Sequence, residues 1–164
     1  MVLLLSYIGF TPAHLAACAG HVEALTALLD KGADLSIGCR NGYTPLHIAV
    51  EADKSKTVKA LIEAKVHLNT PNNMGMTALH IAVKAGLVGV VEVLLQAGAD
   101  CHLTNSEGLT PLALLEEDLK SFLEVAEDFS YPYIFGSPKA SIESLKTIRG
   151  LLQPVGSVEV KGDG

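Results

Sequence analysis

Apolar residues along this chain fall into two kinds of short segment that alternate. The first kind is alanine-rich: Ala13-His14-Leu15-Ala16-Ala17, Leu46-His47-Ile48-Ala49-Val50 and Leu79-His80-Ile81-Ala82-Val83. The second carries its large apolar residues three and four positions apart, as Leu25/Leu28/Leu29, Val58/Leu61/Ile62 and Val91/Leu94/Leu95. Both spacings put apolar side chains on one side of a helix. Polar, glycine-containing stretches separate them. The pattern therefore predicts short helices in pairs, joined by loops, in an all-α chain.

A fixed period underlies the alternation. Gly9-Phe10-Thr11-Pro12, Gly42-Tyr43-Thr44-Pro45, Gly75-Met76-Thr77-Ala78 and Gly108-Leu109-Thr110-Pro111 place four threonines 33 residues apart each time. Each Thr is an expected N-cap, accepting a backbone N–H of the helix it opens. Pro at the next position costs nothing, because its missing N–H would have been unpaired there anyway. Gly32 and Gly98 stand just past the second helix of their units, where a left-handed residue ends it. Lys65 occupies that place in the second unit, so a strained or shifted helix end is expected there.

These residues resemble the ankyrin repeat, a 33-residue pattern with a Thr-Pro-Leu-His tetrapeptide, an alanine pair, a Leu-Leu pair and a Gly-Ala-Asp turn. The resemblance implies a solenoid of helix-turn-helix units joined by extended hairpin loops. It divides the chain into repeat one (9–41), repeat two (42–74) and repeat three (75–107), with residues 1–8 as a partial preceding loop or improvised cap. Thr110-Pro111-Leu112 opens a fourth repeat in which Ala113 replaces His. Where its Leu-Leu pair is due, Glu127-Asp128 and an aromatic, Pro-containing stretch appear instead. Leu145, Ile148, Leu151 and Leu152 then reproduce the second-helix spacing, with Ser141 as N-cap. Residues 108–156 thus read as a degenerate repeat with an insertion near 121–144, and 157–164 as a disordered tail. At the front, Val2 to Leu5 offer apolar cover where a terminal repeat normally needs a polar outer face, which suggests either a fold-back cap or a piece of a longer protein.

Composition and charge narrow the function. The chain is 49% hydrophobic and 18% charged, which is a folding composition. Its net charge is −6, and residues 107–128 hold seven acids against one lysine, leaving the remainder balanced. Without a basic surplus, nucleic acid is not an expected partner. No apolar run approaches the ~20 residues needed to span a bilayer, so membrane insertion is not expected. Three widely spaced cysteines, Cys18, Cys39 and Cys101, form no CxxC pair and fit a reducing, cytoplasmic setting, the nucleus remaining open.

No catalytic constellation emerges, and no enzyme, cofactor or metal is expected. His14, His47 and His80 recur at one position, but equivalent helices of successive repeats stand about 8–10 Å apart. Zinc ligand atoms, each about 2 Å from the metal, lie within ~4 Å of one another. The resemblance gives these rings a hydrogen-bonding role at the helix start, so they join Thr11, Thr44, Thr77 and Thr110 as structural motif residues. Leu25-Thr26-Ala27-Leu28-Leu29 has the form of an LxxLL box, yet helical periodicity makes those leucines core. Lys54, Lys56, Lys59 and Lys65 form a basic patch on repeat two that a solvated helix face explains equally well. Asn69, with Leu61 eight residues before it, resembles the asparagine hydroxylated in many ankyrin repeats; a loop tie by hydrogen bonds is the plainer reading.

Binding is what remains. In the family resembled, the residue before each Thr and those closing the first helix face the partner. Here these are Phe10, Tyr43, Met76 and Leu109 in one row, with Glu51, Lys84, Glu117 and Asp118 beside them. The row is expected to be exposed, although packing of loop against loop would explain it too. The implied function is a protein-binding adaptor or scaffold, monomeric or part of a larger chain. The alternative is a regulatory ankyrin domain or fragment of a larger enzyme or channel.

Overall fold

The computed structural model describes residues 9–127 and 142–153. All regular elements among them are α-helices, in four pairs: α1 (Pro12–Ala19) with α2 (Val22–Asp30), α3 (Pro45–Glu51) with α4 (Ser55–Glu63), α5 (Ala78–Lys84) with α6 (Val88–Gln96), and α7 (Pro111–Glu127) with α8 (Ile142–Leu152). The first helices α1, α3, α5 and α7 pack in sequence as one layer, and the second helices α2, α4, α6 and α8 pack beside them as another. The 33-residue period is thus a stacking period.

The alanine-rich first helices are short because they are central. Each inner one meets a first helix on either side and its own second helix, so residues 46–50 and 78–83 are all buried. Ala49 and Ala82 are fully enclosed, and a small side chain there lets helix backbones approach closely. The second helices have solvent on one side and bury one stripe: Leu25, then Val58 and Leu61, then Val91 and Leu94. Repeat one is covered on one side only. Leu15 is 40% exposed, whereas its equivalents Ile48 and Ile81 are 7% and 8% exposed.

The last pair is unequal. α7 runs 17 residues, twice the length of the other first helices, and so covers the first part of the stretch read as inserted. α8 packs on α6 and α7, burying Ile148 and Leu152 in the position that second helices hold in the other repeats. Arg149 of α8 pairs with Glu116 of α7 at 3.2 Å. The aromatic stretch, Ser141, residues 1–8 and the tail lie outside the described residues.

Turns follow the expected chemistry, with two departures in repeat two. Gly32 and Gly98 end α2 and α6 at φ 79° and 89°, and Lys65 takes the same left-handed place after α4 at φ 59°. Between the helices of a pair, Gly20 and Gly86 are left-handed, and Asp53 replaces them at φ 51°. Both are backbone conformations that cost a side-chain-bearing residue energy. In the hairpins, Gly75 is required for a further reason: a Cβ there would stand 2.6 Å from the Ser106 nitrogen of the next hairpin.

Candidate functional site

Each repeat is tied to the next by its histidine. The His14, His47 and His80 rings are fully buried. In each, Nδ1 faces the backbone N–H of the Thr three residues earlier, at 3.1, 3.0 and 3.2 Å. The Thr hydroxyl lies 2.8 to 2.9 Å from the same nitrogen. Nε2 meets a carbonyl of the following repeat: Tyr43 at 2.7 Å, Met76 at 3.1 Å and Leu109 at 3.1 Å. A carbonyl can only accept and a backbone N–H can only donate, so the neutral tautomer with the proton on Nε2 satisfies both ends. Burial holds all three rings below the ordinary histidine value of 6.5, His47 at about 4, against the opposing pull of the accepting carbonyls. Both ring nitrogens are thereby engaged in the clasp. Among the described residues no group of three or more His, Cys, Asp or Glu is placed to hold a metal.

The threonine caps are partly realised. Thr110 accepts the N–H of Ala113 at 3.2 Å and Thr77 that of His80 at 3.5 Å. At Thr11 and Thr44 the closest contact of the hydroxyl is the imidazole, so the ring completes the cap.

The row before the threonines is corrected in its exposure. Met76 is only 8% exposed and belongs to the core; Phe10, Tyr43 and Leu109 are half-buried against it. The carbonyls of Tyr43, Met76 and Leu109 are held by the histidines of the preceding repeats, and the side chains of the row pack onto the helices behind. Phe10 stacks on His14 with ring centroids 5.3 Å apart, and Tyr43 packs edge-on against His47 at 5.7 Å. Glu51, Lys84, Glu117 and Asp118 are exposed. Burial raises the Tyr43 hydroxyl above its ordinary range, reinforced by the Glu51 charge. Burial likewise raises the Asp118 carboxyl, with the Lys84 charge opposing it.

These side chains frame a pocket of about 420 Å³ between the first two hairpins, lined by Phe10, Tyr43, Ile48, Glu51, Asn73 and Met74, with Cys39 and Asn41. A second, of about 260 Å³, lies one repeat on, where Met74 and Asn73 meet Met76, Lys84, Glu107 and Leu114, with Asn105 and Ser106. Met74 stands between the two and is 54% exposed. Sequence reasoning missed it. Its signal was an apolar residue at a hairpin tip where the other repeats carry Asn41 and Glu107.

The hairpins themselves are held by asparagine. Asn72 accepts the N–H groups of Met74 and Met76 at 2.9 and 3.0 Å, and Asn105 those of Glu107 and Leu109 at 2.9 and 3.0 Å. Cys39 occupies this place in repeat one. Asn69 is exposed and accepts the Asp100 N–H at 2.9 Å, tying the loop of repeat two to that of repeat three. Leu25 of the LxxLL sequence is buried, with Leu28 and Leu29 packed beside it. All three cysteines are free. No helix among the described residues is long and apolar enough to cross a membrane.

Paired helices at a constant period, hairpins tied by asparagine and a Thr–His clasp repeated three times define a solenoid of stacked helical repeats. The family model for ankyrin repeats in three copies matches residues 14–105, more than half of the chain, and the chain belongs to the ankyrin-repeat family. No curated protein matches it. Ankyrin repeats are generally protein–protein interaction modules and typically non-catalytic.

Proposed function

We propose that this chain is an adaptor or scaffold module that holds a partner protein on its hairpin and first-helix surface, centred on Met74. The supporting observation is the pair of pockets that share Met74 and Asn73, the first edged by Glu51 and the second by Lys84 and Glu107. An exposed methionine between two hollows is a surface that can repack around a partner side chain. Glu51 sets a lone negative charge at the first hollow, while Lys84 and Glu107 set a mixed pair at the second, and this difference selects the register of the bound segment.

The test uses a partner isolated by affinity capture and then purified. Met74→Ala is the clean probe, because Tyr43 and Met76 support the fold. We expect it to weaken binding about thirtyfold, as central interface anchors do. Glu51→Ala should weaken binding more modestly, and Glu23→Ala on the exposed side of α2 should leave it unchanged. Undiminished binding by a Met74→Ala, Glu51→Ala double variant would place recognition elsewhere.

A further inference from the structure

The pocket between the first two hairpins is one-sided in its chemistry. Phe10, Tyr43, Ile48 and Met74 supply its apolar wall, and no basic residue lines it. The groups that could meet a charge are acceptors. Glu51 is exposed, and among the described residues no hydrogen bond or ion pair engages its carboxylate. Asn73 donates through Nδ2 to the Arg40 carbonyl at 2.8 Å, which leaves its oxygen as the free end of the amide. Burial first, and the Glu51 charge second, hold the Tyr43 hydroxyl above its ordinary range, so carboxylate and hydroxyl are near neighbours.

The placement of Glu51 is not one its helix favours. It is the last residue of α3, where the terminal carbonyls leave a partial negative charge and a cation is preferred. The last turn of α3 contains no basic residue. The 33-residue period puts Lys84 at the same point of α5, and that lysine suits its helix end. Lys84 is also answered locally, since its charge acts on the Asp118 carboxyl. Repeat two thus carries an unanswered acid where repeat three carries a compensated base.

We infer, on the basis of the binding surface proposed above, that the partner inserts a lysine or arginine side chain into this pocket. Its stem lies along Phe10, Ile48 and Met74, and its charged head meets Glu51. Long basic side chains bury an apolar stem while keeping the head in water, which matches an apolar wall with an exposed carboxylate at one edge. The head meets negative potential from two sources, the carboxylate and the end of α3. An acidic side chain would face the same charge and be rejected. At the second hollow Lys84 and Glu107 offer both signs, so the first hollow is the one that fixes where the basic residue goes.

The test is selection of random linear peptides, displayed on phage, against the intact chain. The binders expected carry lysine or arginine at one fixed position, and Met74→Ala weakens them about thirtyfold. In a synthetic selected peptide, replacing that basic residue by norleucine should weaken binding about tenfold on the wild-type chain and no further on Glu51→Gln. Glu51→Lys, which copies position 84, should melt no lower than wild type, reject the basic peptide and take the same peptide with glutamate in its place. Binders that depend on Met74 but show no basic position, or a basic position equally important on Glu51→Gln, would overturn the cationic pocket and leave the surface standing. Binders indifferent to Met74, or no binders at all, would overturn the surface and the pocket with it.

Discussion

His47 lies in repeat two, yet its Nε2 donates to the carbonyl of Met76, 29 residues along the chain, at 3.1 Å. One side chain thus secures both the start of its own helix and the hairpin of the next repeat. Substituting His47→Ala removes the acceptor of the Thr44 N–H and the donor to Met76 together, in a site with no solvent. We expect a loss of about 3 kcal/mol, more than a single hydrogen bond contributes, because buried groups are left unmatched and a cavity opens. Urea unfolding measures it directly. A loss under 1 kcal/mol, with tight zinc binding by wild type alone, would overturn the clasp.

The same ring makes stability depend on acid. His47 titrates at about 4 in the folded chain and at its ordinary 6.5 when unfolded. Between those values the unfolded state binds more protons, so stability is complete above about pH 6.5 and falls as pH drops toward 4. The difference corresponds to roughly 3 kcal/mol. His14 and His80 shift in the same direction and steepen the decline. A His47→Gln variant, whose carboxamide can accept and donate without titrating, should show a flatter acid limb in urea midpoints across this range.

Repeat two contains two residues in glycine conformations. Lys65→Gly and Asp53→Gly should each raise stability by about 1 kcal/mol, since the left-handed backbone costs a side chain about that much. Thermal melting of the single and double variants is the check. Additivity is expected because the two turns stand at opposite ends of α4.

Cys39 stands where Asn72 and Asn105 accept two backbone N–H groups, and all three positions are buried. Cys39→Asn should supply that acceptor to the first hairpin and raise stability by about 1 kcal/mol. Slower amide exchange at Asn41 and Tyr43 would locate the gain. Unchanged exchange there would show that the first hairpin adopts a different arrangement.

Much of this was legible because stacking imposes a period, and a period is visible in sequence. Thr-Pro at a helix start, alanines where helices approach, and leucines three and four apart each mark a physical demand. Gly32, Gly98 and the exception Lys65 could be placed for the same reason. The orientation of Phe10, Tyr43, Met76 and Leu109 was not legible. For Tyr43, Met76 and Leu109 a histidine one repeat earlier holds the carbonyl, a contact between residues far apart in the chain that no local pattern encodes. The length of α7 was hidden differently: residues 112–127 contain neither Gly nor Pro, but neither do residues 46–64, where α3 ends at Glu51, so breakers alone do not mark where a first helix stops. Whether Met74 or Asn69 meets another molecule lies beyond pattern altogether, since both positions satisfy the fold without one.

The clasps all face one way. His14 reaches repeat two, His47 repeat three and His80 repeat four, where Ala113 stands in place of a further ring. The assembly therefore has a mechanical polarity that its repetition conceals. Shortening the chain from the front, at residue 42, removes a donor and leaves a carbonyl that water can reach. Shortening it from the back, at residue 107, removes the acceptor of the His80 N–H and uncovers α5 and α6, which pack against α7 and α8. A chain of equivalent units is in this way unequal at its two ends, and the last repeat holds more of the structure than its divergent sequence suggests.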